Sequence, residues 1–186
     1  MKTPANVCLV ILFSLFWSVS VAQSLELTDS SGRLVEIQSV INKKPISVFV
    51  FYSPDCPLCQ SYSSTLSKLS EELGNYSIAY TVVFSHLYSK DEILKFYEDY
   101  HFSWSYYIDK NYLFAKYVKA QVTPEAVVFY KNKIAYQGAV NNKMEKLSHK
   151  RTVVTKHYLH QALLELKNGK KPSLPKTEAV GCFLEY

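Results

Sequence analysis

The sequence predicts an α/β domain, and three segments carry the prediction. Ile46 to Tyr52 (ISVFVFY) is an unbroken β-branched and aromatic run, the pattern of a strand buried on both faces. Ile78 to Phe84 (IAYTVVF) is a second such run. Between them, Leu58, Tyr62, Leu66, Leu69 and Leu73 recur every three or four positions behind Pro57, a residue well tolerated in a helix's first turn. A strand, a helix and a second strand in that order form the unit that joins parallel neighbours in a sheet.

The remaining elements follow in chain order. Leu25 to Leu27 and Arg33 to Ile37 alternate around the turn Asp29-Ser30-Ser31-Gly32, which predicts a small hairpin. Gly74-Asn75 closes the first long helix. Ser89-Lys90-Asp91-Glu92 has capping-box spacing and starts a helix whose apolar face is Ile93, Phe96, Tyr97 and Tyr100. Tyr106 to Ile108 reads as a short strand and Tyr112 to Val118 as a short helix. Val122-Thr123-Pro124 leads into the strand Ala126 to Tyr130, and Lys131-Asn132-Lys133 turns the chain into Ile134 to Tyr136. A last helix is predicted from Thr152 to Lys167, with Gly169 as its stop. The tail, 170–186, contains Pro172 and Pro175 and is too irregular for a helix.

Composition narrows the function classes. The chain has 186 residues, 48% of them hydrophobic and 20% charged, enough for one well-cored domain and neither disordered nor collagenous. Its net charge of +5 is spread along the chain, which gives no case for nucleic-acid binding. Lys2, the apolar stretch Val7 to Val19 and the small residues before Gln23 read as a cleaved signal peptide, residues 1–22, with the domain occupying 23–186. The apolar part is shorter than the roughly 20 residues that span a bilayer, so membrane contact is expected only if the leader stays uncleaved. Export to the periplasm or outside the cell places Cys56, Cys59 and Cys182 in an oxidising compartment, where disulfides persist. Cys8 precedes the leader's apolar core, which argues against a lipid-attached cysteine.

Cys56-Pro57-Leu58-Cys59 sits where a buried strand gives way to a helix N-terminus. Free N–H groups and the positive end of the helix dipole favour a thiolate at Cys56. Cys59, on the same face one turn on, can close a small disulfide with it. The chemistry demands that the Cys56 sulfur be reachable. A structural disulfide is the competing reading. Zinc needs four ligands, and the chain holds no second CxxC, only His157 and His160 far along it.

These residues resemble the thioredoxin superfamily, in particular the exported redoxin branch related to peroxiredoxins and periplasmic thioredoxin-like reductases. The resemblance runs from Leu25 to the C-terminus and is carried by Phe51 to Cys59, Val122 to Ala126 and Thr177 to Cys182. It implies a thioredoxin-like fold: a central mixed sheet flanked by helices, with an N-terminal hairpin and a C-terminal tail. It also implies a cis Thr123-Pro124 peptide beside the cysteines, holding an extended substrate by backbone hydrogen bonds. Catalysis falls to Cys56 and Cys59, substrate binding to Thr123 and Pro124, and no cofactor or metal is required. The implied partners are exported proteins with disulfides and an upstream thiol donor or acceptor of electrons, with reduction slightly favoured.

The sequence also departs from that family. Pro54-Asp55 and Pro57-Leu58 replace the Trp-containing approach and the Gly-Pro pair of thioredoxins, and Val50 stands where their buried acid lies. Asp55 beside Cys56 would oppose a thiolate if it pointed inward. A peroxiredoxin-like peroxidase is one alternative, with Ser53 standing in for the expected Thr and Phe49 where the Pro should be. A Cu(I) chaperone is another, using two thiolates and His86, His101 or His149. Cys182 reads either as a small buried hydrophobe, as a third redox thiol exchanging with the pair, or as an intermolecular link. Glu125 reads either as a groove residue or as an exposed strand end. Tyrosines from Tyr97 to Tyr117 read first as packing, and Asn75-Tyr76-Ser77 fits a glycosylation sequon.

Overall fold

The computed structural model describes residues 25–186 apart from Asn75, Ser148 and Glu185. The leader and the sequon asparagine therefore lie outside the described residues. A hairpin of β1 (Glu26–Asp29) and β2 (Leu34–Glu36) opens the domain, its turn fastened by the Asp29 carboxylate, which accepts from the N–H groups of Ser31 and Arg33. A five-residue helix, α1 (Ile37–Ile41), follows where the sequence showed only the end of a strand. Then come β3 (Ile46–Tyr52), α2 (Pro57–Leu73) and β4 (Ile78–Ser85), matching the predicted unit almost residue for residue.

Helix α3 (Lys90–Asp99) carries both hydrogen bonds of the predicted capping box between Ser89 and Glu92. Strand β5 (Ser105–Asp109) ends in a buried aspartate whose carboxylate accepts from the N–H groups of Phe114 and Ala115, and so starts α4 (Leu113–Val118). Two-residue β6 (Val122–Thr123) precedes β7 (Glu125–Tyr130) and β8 (Lys133–Gly138), which are joined through Lys131 and Asn132, both at positive φ as a tight hairpin turn requires. A small hairpin of β9 (Met144–Lys146) and β10 (His149–Lys150) follows, where the sequence predicts no element. Helix α5 (Tyr158–Lys167) and the short strand β11 (Cys182–Phe183) complete the chain.

The main sheet runs β2-β1-β5-β4-β3-β7-β8, with β3, β4 and β5 parallel and the other pairs antiparallel. Helices cover both faces, which is why β3 is apolar throughout. Its Ile46, Val48, Val50 and Tyr52 point into a core shared with α2, α3 and α5. Phe49 and Phe51 point the other way, against α1, α4 and the hairpin. This gives the expected α/β architecture and the mixed sheet with helices on either side. Most of the tyrosines between Tyr97 and Tyr117 are packing residues: Tyr97 and Tyr106 join the aromatic cluster around Phe84, and Tyr117 alone is largely exposed. Among the described residues no helix is long and apolar enough to cross a membrane.

One predicted boundary is corrected. The last helix starts at Tyr158, not at Thr152. Thr152 to Thr155 are β-branched and poor helix formers. The Asn142 side-chain Oδ1 accepts from the N–H groups of Thr155 and Lys156, each at 3.0 Å, holding this stretch extended against the loop after β8.

Candidate active site

The site is built where β3 runs out. After Tyr52 the chain turns through Ser53 to Asp55, and the Cys56 N–H donates back to the Ser53 carbonyl at 3.2 Å. Cys56 then becomes the N-cap of α2 in an extended conformation, with Pro57 as the first helical residue. That geometry aims the free N–H groups of Leu58 and Cys59 at the Cys56 sulfur. Cys59, in the first turn, faces inward, and its sulfur accepts from the Ser53 N–H at 3.5 Å. The Tyr52 hydroxyl donates to the Cys59 carbonyl at 2.6 Å and pins the first turn to the strand.

The two thiols are electrostatically unlike. The Cys59 S–H donates to Cys56 and is the largest influence pulling the Cys56 thiol down to about 5; burial opposes it, and Cys182 and the two helix N–H groups assist. Burial, followed by the negative sulfur of Cys56, pushes Cys59 well above the ordinary thiol range. At neutral pH the site therefore holds one thiolate, Cys56, and a protonated neighbour one turn away. Asp55 does not oppose this arrangement, because its carboxylate turns outward to accept from the Tyr88 hydroxyl at 2.7 Å.

The prolyl loop faces the pair. Thr123-Pro124 is cis, as the resemblance implied, and the Thr123 carbonyl oxygen lies 3.5 Å from the Cys56 sulfur. The Thr123 hydroxyl meets that of Ser53 at 3.1 Å. Cys182 is brought to the same point from the far end of the chain, with its sulfur 2.6 Å from that of Cys56. The fold thus gathers Cys56, Cys59, Thr123, Pro124 and Cys182 into one locus, with the three cysteines as free thiols.

Three sequence expectations change here. Cys56 is only 2% exposed and Cys59 not at all, so the sulfur expected to be reachable is covered, and the tail bearing Cys182 is part of the cover. Glu125 is no exposed strand end. At 7% exposure its carboxylate accepts from the Gln121 and Val122 N–H groups and from the Gln137 side chain, and so fixes the approach to the prolyl loop. The tail, read as irregular, contains a strand. Antiparallel β11 pairs with β6, Cys182 opposite Thr123 and Phe183 opposite Val122. A two-residue strand is too short for periodicity to reveal.

Two of the three candidate copper histidines have other partners. His86 accepts from the Asn111 N–H, and His149 lies near Glu145 on the surface. Among the described residues no group of three or more His, Cys, Asp or Glu is arranged to hold a metal ion.

A strand ending at a CxxC on a helix N-terminus, facing a cis-prolyl loop across a mixed sheet, defines a thioredoxin-like protein. The Redoxin family model matches residues 18–154, and the chain belongs to that family. Solved structures of similar fold include a hypothetical protein from Sinorhizobium meliloti 1021, 19% identical with a TM-score of 0.73 over 89% of this chain and 92% of that one. An uncharacterized conserved protein from Geobacillus kaustophilus is 21% identical with a TM-score of 0.74, covering 89% of both chains. A secreted Mycobacterium tuberculosis disulfide oxidoreductase homologous to E. coli DsbE is 16% identical with a TM-score of 0.50, over 60% of this chain and 80% of that one. At these identities the likeness is one of fold. No curated protein matches the sequence.

Proposed function

We propose that this redoxin-family protein is an exported thiol-disulfide oxidoreductase that exchanges its Cys56-Cys59 dithiol with disulfides of other exported proteins. The observation that carries the proposal is the pairing of a Cys56 thiolate, held down to about 5, with a protonated Cys59 one turn away, both beside the prolyl loop. In the reducing direction the Cys56 thiolate attacks a partner disulfide, and one partner sulfur leaves with the bonding electron pair. Cys59 then gives up its proton and attacks Cys56, releasing the second partner sulfur as a thiolate. The protein is left with a Cys56-Cys59 disulfide, which an upstream dithiol reduces. The resemblance to periplasmic reductases favours this direction. The low-lying thiolate favours the opposite one, since stabilising the dithiol form makes the pair a stronger oxidant.

A peroxidase would use Ser53 to hold the peroxide, but that hydroxyl is paired with Thr123 and its N–H with the Cys59 sulfur. Export rests on the leader-like residues 1–22, whose removal would leave Gln23 first. The deciding experiment expresses Cys59→Ala combined with Cys182→Ala in the native host, so that neither neighbouring thiol can resolve a mixed disulfide on Cys56. Without the resolving thiol the mixed disulfide on Cys56 cannot be released by the second attack, so partner proteins accumulate as adducts sensitive to dithiothreitol and identifiable by mass spectrometry. Recovery of exported proteins on a chain beginning at Gln23 is expected. Recovery of no adducts, with peroxide consumed instead by the wild type, would overturn the proposal.

A further inference from the structure

The tail occupies the place a substrate should take. Resting on the reading of Cys56 as the exchanging thiolate, we propose that residues 176–184 are a tethered substrate: they dock on the β6 edge and present Cys182 to Cys56 for reversible disulfide formation, and outside partners must displace them.

The docking is specific in its details. On one side of the cysteines, the Gln137 N–H donates to the Pro175 carbonyl and the Thr177 N–H to the Gln137 carbonyl, both at 3.0 Å, and the Thr177 hydroxyl accepts from the Ala139 N–H. On the other, the Leu184 N–H donates to the Gln121 carbonyl at 2.9 Å, and the Tyr186 hydroxyl to the Ala120 carbonyl at 2.8 Å, its ring against Tyr112. Between these anchors, β11 pairs with β6 in the register that sets Cys182 opposite Thr123, beside the prolyl bond. Two glycines permit the approach. A Cβ at Gly181 would be driven into the backbone of Thr123, and one at Gly138 into that of Thr177. The Phe183 side chain is 75% exposed, so the edge is held by main-chain bonds, the mode by which an added strand of any sequence is gripped. Between the anchors the tail also lines, with Glu125, Gln137 and Leu147, an open cavity of about 590 Å³.

The sulfur geometry supplies the chemistry. At 2.6 Å, Cys56 and Cys182 are slightly farther apart than a covalent disulfide, about 2.05 Å. Starting from the Cys56-Cys59 disulfide, the Cys182 thiolate attacks the Cys56 sulfur and the Cys56-Cys182 bond forms. The Cys56-Cys59 bond breaks, its electron pair goes to Cys59, and Cys59 takes up the proton that Cys182 released. The step is an isomerisation with no net oxidation. It transfers the disulfide from two fully buried sulfurs to a pair that includes the half-buried Cys182.

Two measurements test the proposal. In Cys59→Ser, the Cys56 thiolate should attack oxidised glutathione, releasing one glutathione; Cys182 should then displace the second, leaving an intramolecular Cys56-Cys182 disulfide seen by peptide mapping. A persistent glutathione adduct on Cys56 would show that Cys182 cannot react there and overturns the proposal. Gly181→Ala should lift the tail. A docked fraction of roughly nine in ten cuts the open population about tenfold, so iodoacetamide should label Cys56 about tenfold faster in the variant than in the wild type. An unchanged rate in a variant of wild-type circular dichroism overturns the proposal. Leu184→Pro, which deletes the N–H donated to Gln121, serves if Gly181→Ala does not fold. Failure of Cys56 to react with either reagent in any variant would remove the nucleophile itself, and with it the proposed function; failure of the tail measurements alone leaves that function standing.

Discussion

Cys56→Ser is expected to abolish the reduction of insulin by the dithiothreitol-charged protein, a loss of more than about a thousandfold for removal of the group that makes the covalent intermediate. The reason lies in what the helix N-terminus does to each side chain. The N–H groups of Leu58 and Cys59 and the Cys59 S–H stabilise a negative sulfur at residue 56. A serine hydroxyl there stays neutral and cannot form a disulfide. The folded state should tolerate the change, because the residue is an N-cap and serine is a preferred one. Circular dichroism close to wild type, with activity gone, is therefore the expected pair of results, while the thermal unfolding temperature at neutral pH falls because the serine lacks the stabilised thiolate. Retained insulin reduction would mean that Cys59 or Cys182 acts as the attacking thiol, against the burial and the neighbouring charge that hold both in their protonated forms.

Phe49→Ala is expected to destabilise the domain by about 3–5 kcal/mol, the range for truncating a buried aromatic. Phe49 is wholly buried in the central strand, with Phe114 of α4 edge-on at 5.0 Å and Phe129 of β7 at 5.7 Å. Neither neighbour can collapse into the space without distorting the sheet, since both are themselves in the core. For a domain of this size each kcal/mol moves Tm by roughly 2–4 °C, so the variant should melt on the order of 10 °C lower. Because Phe49 faces away from the core that contains Cys56, the folded variant should keep its disulfide exchange. A change below about 1 kcal/mol would indicate a loosely packed face and would contradict the two-core description.

The parts of this fold that were legible in the sequence are those written in side-chain periodicity. The runs Ile46 to Tyr52 and Ile78 to Phe84 had to be buried on both sides, and the Leu66-Leu69-Leu73 spacing had to be helical. The Ser89-Glu92 box declared its own helix start. What stayed hidden depends on contacts between residues distant in sequence. Helix α5 loses its predicted first turns to Asn142, whose side chain no local pattern connects with Thr155. The N-cap and CxxC at Cys56 were legible for the same reason as the helix, because they lie within one local unit. The pairing of β11 with β6 was not, because it joins residue 182 to residue 123 through main-chain bonds that leave no mark in composition. Nor could spacing show that Glu125 is buried to cap the chain before the prolyl loop.

Disulfide exchange at Cys56 depends on the ionisation of one sulfur, and ultraviolet thiolate absorbance of the fully reduced protein, followed from acid to alkaline pH, measures it directly. The prediction is a one-thiolate step with a midpoint of about 5, absent from Cys56→Ser, while Cys182, pushed up to about 12, and Cys59 stay protonated through neutral pH. Because the Cys56 pKa is lowered on folding, its contribution to the stability of the reduced protein is fully present above the unfolded thiol value of about 8.5 and is lost as pH falls through 5. A first thiolate step at about 8.5, as for a thiol free in water, would contradict the assignment of Cys56 as an activated nucleophile.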